Sequence, residues 1–367
     1  MDPQHFPYDR FLGIKEEKER RLLTWLSTDV VTDVPVVVRP PCNVWGAVSR
    51  YREQSLDLQL DALAMSLEMQ SDFLFSYLEP WHGVGVYANI FGCPVNWNDF
   101  DAPQTHYLYH NVDELRDLRR PRIMDSELAQ TVLETIRYFR RVTGDALGIS
   151  LTDTQSPNDS ASLILDTCEF FTAGLAEPEK ITAFMELVTG VMIDFSDMQF
   201  EAMGPTATRP GHIMLSAPQL HGISVSDDNM AVISPATYRN SALPYNNLLS
   251  EHFGGIAIHT CGNFAQNYSA VKQTKKLALI DCALSGADPQ PNHPAKLRDA
   301  FADTGIVIKA RIGADEEHWQ VLDELVSPHL KLMLQIESDG DIARSNQTYE
   351  RLKTRCQALL SKTQYAN

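Results

Sequence analysis

Short apolar runs alternate with amphipathic segments along most of the chain. Eight such runs can be traced, and each is short enough to be one strand. They span residues 34–38, 72–78, 147–153, 222–228, 256–260, 277–281, 306–310 and 330–336. Strands that are buried on both faces of a parallel sheet have this nearly continuous apolar pattern. The runs therefore predict eight parallel strands.

Segments with apolar residues at helical spacing separate these runs. They cover residues 55–69, 126–142, 160–203, 263–273, 292–301, 315–326 and 346–360, and a further helix begins at residue 234. Pro178 disfavours helical backbone at Glu177, so we expect the long segment 160–203 to be broken there. Ser234 followed by Pro235 is a typical helix start.

Eight strand and helix pairs predict a (β/α)8 TIM barrel. A doubly wound open sheet is the rival, but no glycine-rich phosphate loop follows an early strand. We treat residues 211–217 as an accessory ninth strand. The predicted organisation is an N-terminal extension, residues 1–33, followed by one barrel domain, residues 34–362. The polar excursion at residues 98–122 fits either a lid or a contact in a homodimer.

Composition and charge narrow the environment in which the protein works. The 367 residues carry a formal charge of −17, which repels nucleic acids and anionic membranes. No apolar run reaches the roughly 18 residues of a membrane span, and the first residues lack a signal-peptide pattern. We expect a cytoplasmic protein without nucleic-acid or membrane partners. The six cysteines show no disulfide spacing, so reduced thiols are expected.

In a TIM barrel the active site lies at the carboxyl ends of the strands. His259 and Cys261 are two residues apart at such an end, so their side chains point to the same side. Imidazole nitrogen and thiolate sulfur are both zinc ligands, and a third ligand would leave one position open for substrate. The alternative is a histidine that is hydrogen-bonded within the barrel wall beside a packed thiol.

Three further strand-end residues are candidate catalytic groups. Tyr77 and Glu79 end the second run, in a glycine-rich context with Trp81 and His82 that fits either a ligand pocket or a buried plug. Asp228 follows the fourth run as a base, a partner of the site or a ligand. Because neighbouring strand residues point to opposite faces, at most one of Asp227 and Asp228 is expected to face the site. A helix cap is the alternative role for Asp228.

The sequences "IAIHTCGN" and "GISVSDDNMAVISPATYRNSALPY" resemble the uroporphyrinogen decarboxylase superfamily, and in particular its methylcobamide:coenzyme M methyltransferase-like branch. The resemblance extends over residues 60–362. It implies a zinc site containing His259, Cys261 and a second cysteine near the last strand. Here Glu337 takes that position, and Gln335, Cys282 and Asp228 are further candidates for the third ligand.

The same resemblance implies a function. The zinc would activate a thiol or similar small-molecule acceptor, and the methyl group would come from a corrinoid on a partner protein or from another donor. A metal-independent decarboxylase or lyase that binds a small acidic substrate through Arg50, Lys309 or Arg311 is the alternative. A barrel without catalysis, acting as a subunit of a methyl-transfer complex, is a third hypothesis.

The decarboxylase branch itself is a poorer match. Its "RQAGRY" segment is represented by "WGAVSRYRE", which keeps Arg50 and Tyr51 but has Gly46 in place of the first arginine. In "FSYLE", Tyr77 occupies the position of the aspartate that this branch uses for pyrrole nitrogens. A tetrapyrrole with many carboxylates needs a cationic cleft, so decarboxylation of uroporphyrinogen is disfavoured.

Overall fold

A computed structural model describes residues 1–29 and 31–364. Its strands are β1 (Val36–Arg39), β2 (Tyr77–Leu78), β3 (Val95–Asn96), β4 (Gln104–Thr105), β5 (Gly148–Ile149), β6 (Ile223–Ser226), β7 (Ile256–His259), β8 (Leu277–Ala283), β9 (Val307–Arg311) and β10 (Leu332–Glu337). Eight of them overlap the predicted runs. The short antiparallel pair β3 and β4 lies in and just before the polar excursion.

The eight predicted strands are parallel and form the wall of a barrel. Six make one continuous sheet in the order β1-β10-β9-β8-β7-β6, and β2 pairs with β5. The bridge between Gln155 and Ser226 connects the chain after β5 to β6. The N–H of Asp72 donates to the carbonyl of Val36, which connects the chain before β2 to β1. The predicted TIM barrel is confirmed.

Helices surround this wall. They are α1 (Tyr8–Leu26), α2 (Arg52–Ser66), α3 (Val86–Ile90), α4 (Glu127–Thr143), α5 (Pro157–Ile164), α6 (Thr167–Ala176), α7 (Pro178–Met203), α8 (Pro235–Ser241), α9 (Leu243–Phe253), α10 (Tyr268–Val271), α11 (Pro294–Phe301), α12 (Leu322–Leu325) and α13 (Ile342–Gln364). None of the helices in the described part of the chain combines the length and hydropathy of a membrane span.

The long predicted helix over residues 160–203 is three helices. The expected break at Glu177 and Pro178 is present. A second break occurs at Leu165 and Asp166, whose backbones are not helical. The carboxylate of Asp166 accepts the N–H groups of Cys168 and Glu169, so it caps a new helix. The apolar periodicity alone does not reveal this capping aspartate.

The predicted accessory strand at residues 211–217 is wrong, because this segment is a turn. The N–H of Met214 donates to the carbonyl of Gly211, and an isolated antiparallel bridge joins Ala217 to Arg209. Gly211 and Ile213 both have positive φ, at 114° and 63°. The alternating pattern of this segment arises from a turn whose side chains enter the barrel, as Met214 and Leu215 do.

The N-terminal helix α1 covers the amino end of the barrel. Trp25 and Leu26 pack against the interior residues, and Lys331, just before β10, donates to the carbonyl of Leu26 over 2.6 Å. Phe11 is fully buried against the rest of the core. Helix α1 therefore contacts the barrel closely, and the proposed domain boundary stays a prediction.

The barrel interior has an apolar half and a polar half. Ala257, Leu279, Val307, Met333 and Val37 form its apolar layer near α1. Side chains on a strand alternate between the two faces, so the residues two positions later also point inward. These are His259, Asp281, Lys309, Gln335 and Arg39. The fold thus collects polar and charged groups at the carboxyl end of the barrel.

Candidate metal and active site

Three potential metal ligands meet at the carboxyl end of neighbouring strands. Ser226 of β6 is the register partner of His259 of β7, so Asp228 and Cys261, each two residues further, are also neighbours. One ligand atom from each of Asp228, His259 and Cys261 lies within 4.8 Å of the others. The N–H of Cys261 donates to Oδ1 of Asp228 over 2.7 Å, and Sγ lies 3.5 Å from Nε2 of His259. The structure therefore brings His259 and Cys261 together with Asp228.

The imidazole of His259 is held by a buried carboxylate. Nδ1 donates to Oδ2 of Asp281 over 2.5 Å, which leaves Nε2 toward Cys261. Burial works to lower the pKa of His259, but its hydrogen bonds with Asp281 and Cys261 and the charge on Asp281 outweigh it and raise the pKa to about 9. A carboxylate on the second ring nitrogen is the usual support of a metal-binding histidine.

Asp281 is itself neutralised by two cations. Lys309 Nζ lies 2.5 Å from Oδ1, and Arg311 Nε lies 3.1 Å from Oδ2. Burial favours the protonated acid, yet Lys309 and Arg311 hold the pKa of Asp281 well below its usual range. Arg311 also donates to the carbonyl of Thr260, and its guanidinium lies 3.9 Å from Sγ of Cys261.

The donor set of this group suits zinc. Imidazole nitrogen, thiolate sulfur and carboxylate oxygen are all zinc ligands in proteins. His259 is buried, whereas Cys261 and Asp228 are exposed, so the three atoms face the barrel opening. With three protein ligands a fourth position is left for a substrate atom, as in catalytic zinc sites.

The other candidates for the third ligand lie outside this group. Glu337 is exposed, accepts a hydrogen bond from Gln335 over 2.6 Å and lies 4.0 Å from Arg39. Cys282 follows Asp281 on β8 and points to the opposite, apolar face, where burial raises its pKa to about 12. Asp228 is thus the carboxylate that the geometry offers as third ligand, and the metal role of all these residues stays a prediction.

The loop that carries Asp228 is fixed by a second buried acid. Asp159, on α5, accepts the N–H of Asp228 over 2.6 Å and lies near that of Asn229. Burial and the neighbouring carboxylates raise the pKa of Asp159 well above its ordinary value. Asp227 points into the protein and accepts from Asn246 over 2.9 Å, so of these two adjacent acids only Asp228 faces the opening.

A second polar cluster lies on the other side of the barrel. His212 Nδ1 donates to Oε1 of Glu79, and its Nε2 lies 3.6 Å from Oδ1 of Asp153. All three residues are at most 5% exposed. Trp81 donates to the other oxygen of Asp153 over 3.1 Å. Burial works to lower the pKa of His212, but the two carboxylates raise it, and a charge on His259 lowers it slightly.

The sequence analysis found Glu79 but missed His212. His212 lies in the segment that resembled a strand, and no motif marked it. Tyr77 is buried, and its hydroxyl donates to the carbonyl of Met214 over 2.9 Å, so it holds the turn that carries His212. Trp81 and the fully enclosed His82 are buried near this cluster. His82 contacts Thr135 over 3.0 Å, and burial lowers its pKa to about 4.

The cations proposed for an acidic substrate differ in their availability. Lys309 is fully buried and committed to Asp281. Arg311 is bound to the same carboxylate and to a carbonyl. Arg50 is exposed at the end of the short 3-10 helix Ala47–Arg50. None of the three is both buried and free to bind the carboxylate of a substrate, and this weakens the decarboxylase alternative.

The fold and site define a TIM-barrel protein with a polar carboxyl end. Comparisons with known proteins add a family match and a solved structure of the same fold. The family model described as uroporphyrinogen decarboxylase matches residues 82–208. A solved methyltransferase from Methanosarcina mazei has the same fold, with a TM-score of 0.64 and 14% identity. That similarity covers 93% of this chain and 98% of the methyltransferase. No curated protein matches the sequence.

The family match supports the predicted resemblance to the uroporphyrinogen decarboxylase superfamily over residues 82–208. The matched segment includes Asp153 and ends shortly before His212. Asp228, His259 and Cys261 lie beyond it, so their assignment depends on the geometry of the site.

Proposed function

We propose that the protein is a zinc-dependent methyltransferase that moves a methyl group from a corrinoid on a partner protein, or from another donor, to a thiol or similar small-molecule acceptor. The fold shared with a methyltransferase supports the reaction class. The observation that carries the proposal is the group formed by Asp228, His259 and Cys261, with Asp281 behind the histidine.

Zinc bound there would supply a coordinated, deprotonated acceptor as nucleophile. The residues of this chain prepare that site. Asp281 fixes the orientation of His259, Asp159 fixes the loop of Asp228, and Arg311 places positive charge near the sulfur of Cys261. The acceptor would approach from the open carboxyl end, where Cys261 and Asp228 are exposed.

Elemental analysis of the purified protein tests the metal site. We expect about one zinc per chain in the parent and at least a tenfold weaker affinity, measured by competition with a chelator, in Asp228→Asn, His259→Ala and Cys261→Ala. Glu337→Gln and Cys168→Ser, which change an exposed acid and an exposed thiol outside the group, are the matched controls. A parent without bound metal, or variants that bind zinc as tightly as the parent, would overturn the proposal.

A further inference from the structure

The cluster of Glu79, His212 and Asp153 does not contribute ligands to a metal at Asp228, His259 and Cys261. Its imidazole is placed between two carboxylates inside the barrel. Glu79 is also the member that lines a cavity of about 60 Å³, together with Arg39, Gln59 and Tyr77. The three side chains therefore lead from a cavity, through an imidazole, to a second carboxylate.

Each member of the cluster is held by neighbouring groups. Gln59 binds both the N–H and the carbonyl of Glu79, over 2.6 and 3.0 Å. Gln155 donates to Oδ1 of Asp153 over 2.8 Å, and Trp81 donates to Oδ2. These contacts leave the ring of His212 with a fixed partner on one nitrogen and a looser one, at 3.6 Å, on the other.

The turn that carries His212 is strained. Ile213 has φ of 63°, a conformation that a β-branched residue rarely adopts. Such a conformation costs about 1 to 3 kcal/mol, and it persists where the surroundings enforce it, often at functional sites. The hydroxyl of Tyr77 contributes by binding the carbonyl of Met214. The fold thus places His212 in the barrel despite a backbone cost.

Stability does not explain the cluster either. Burying charged groups is costly, and apolar residues of similar size are often as stable or more so in their place. The cluster also lies beside the strands of the metal ligands, because Gln155, which donates to Asp153, is bridged to Ser226 of β6, the register partner of His259. A role in the reaction accounts for both the burial of these charged groups and their position near the metal ligands.

Building on the proposed function, we propose that Glu79, His212 and Asp153 form a proton relay that protonates the atom from which the methyl group departs. The methyl donor is accordingly a compound with its methyl group on a basic nitrogen or oxygen. Glu79 faces the donor, and His212 and Asp153 act through it.

With a donor CH₃–X and a thiol acceptor, the acceptor sulfur forms a bond with the methyl carbon, the C–X bond breaks, and its electron pair goes to X. Glu79 gives X a proton and takes one from His212, whose charge Asp153 compensates. The proton lost by the thiol restores the relay. A corrinoid cobalt keeps the electron pair without a proton, so such a donor would give the relay no task.

Steady-state methyl transfer to 2-mercaptoethanol, with the thioether measured by mass spectrometry, tests the relay. Three donors serve as probes: 5-methyltetrahydrofolate for N-methyl, 2-methoxyphenol for O-methyl and methylcobalamin for methyl on cobalt. The zinc-loaded parent is compared with Glu79→Gln and His212→Gln. His82→Gln is the matched control, since it removes another buried histidine whose partner is Thr135. Circular dichroism checks folding, and the nearly isosteric Glu79→Gln carries the test if His212→Gln does not fold.

We expect at least a 100-fold lower kcat with the N-methyl or O-methyl donor in Glu79→Gln and His212→Gln, the usual size of a general-acid effect, and less than a threefold change in His82→Gln. With methylcobalamin, any turnover should change less than threefold in all variants.

Equal losses with every donor, no loss with the N-methyl or O-methyl donor, or a parent that uses methylcobalamin alone would overturn the relay while leaving the methyltransferase proposal standing. A parent that forms no thioether from any donor would overturn the proposed function and the relay with it.

Discussion

The carboxylate of Asp281 contacts three other charged or titratable groups at the carboxyl end of the barrel. It accepts from His259, pairs with Lys309 and lies 3.1 Å from Arg311. Asp281 and Lys309 are fully buried, so the charge of each has to be compensated by that of the other. A buried pair of this kind stabilises little compared with apolar residues, but the loss of one partner leaves a charge without compensation.

We therefore expect Lys309→Met and Asp281→Asn each to lower the free energy of unfolding by about 3 to 5 kcal/mol. The double variant should lose less than the sum of the two, because neither Lys309 nor Asp281 is then left buried without the charge of the other. Urea denaturation of the four proteins measures this. The exposed Lys296→Met is the control, with a change within about 0.5 kcal/mol. Strictly additive losses would contradict the pairing.

The same residues show what could be read from the sequence at this scale. Period-two alternation places His259 and Cys261 on one side of β7, so their proximity was predictable. The sequence does not decide whether Glu337, Gln335, Cys282 or Asp228 is the third ligand, because the register between parallel strands is set by tertiary packing. The pairing of Ser226 with His259 in β6 and β7 is what places Asp228 beside Cys261.

At the scale of elements, the loop after β6 is fixed to α5 and α9 by buried acids. Asp159 binds the backbone of this loop, and Asp227 accepts from Asn246 of α9. Burial, together with the charge of Asp228, raises the pKa of Asp227 to about 6, although the hydrogen bond from Asn246 opposes the change.

This raised pKa has a consequence for stability against pH. Asp227 has a higher pKa folded than unfolded, so its contribution is complete below about pH 3.9 and is lost as the pH rises toward and through about 6. We expect Asp227→Asn, which cannot ionise, to lose less free energy of unfolding than the parent between pH 4 and pH 7. Urea denaturation across that range measures the difference, which should be roughly 2 kcal/mol. Parallel curves for the two proteins would show that Asp227 ionises normally.

The strands and most helices followed from apolar periodicity, because the buried wall of a barrel leaves a strong pattern. The helix break at Asp166 and the turn at residues 211–217 did not. Asp166 ends one helix and caps the next through a side-chain hydrogen bond, and His212 enters the barrel from a turn with positive φ at Ile213. Both depend on backbone conformation at single positions, which a periodic pattern of side chains does not encode.

At the scale of the whole molecule, α1 packs against the barrel over much of its length. Its Phe11 is fully buried, and the ring lies 5.3 Å from that of Phe6. Arg21 on the same helix pairs with Asp72, which in turn accepts the N–H of Val36 in β1. The helix therefore contributes to the stability of the barrel.

Phe11→Ala should lower the free energy of unfolding by about 3 to 5 kcal/mol, since it leaves a cavity between α1 and the core. The neighbouring Leu12 is exposed, and Leu12→Ala should change it by no more than about 0.5 kcal/mol. Thermal or urea unfolding of both variants makes the comparison. A loss in Phe11→Ala as small as that in Leu12→Ala would show that α1 detaches before the barrel unfolds.

The cover that α1 forms over the amino end also bears on the kinetics. Trp25 and Leu26 lie against the apolar interior at that end, while Cys261 and Asp228 are exposed at the other. Donor, acceptor and both products would then use one entrance. In the proposed reaction, a donor at the buried Glu79 would have to bind before an acceptor at the exposed Cys261 and Asp228, and the thioether would have to leave before the demethylated donor. Such a barrel would show an ordered sequence of binding and release, with excess acceptor inhibiting turnover by closing the entrance to the donor.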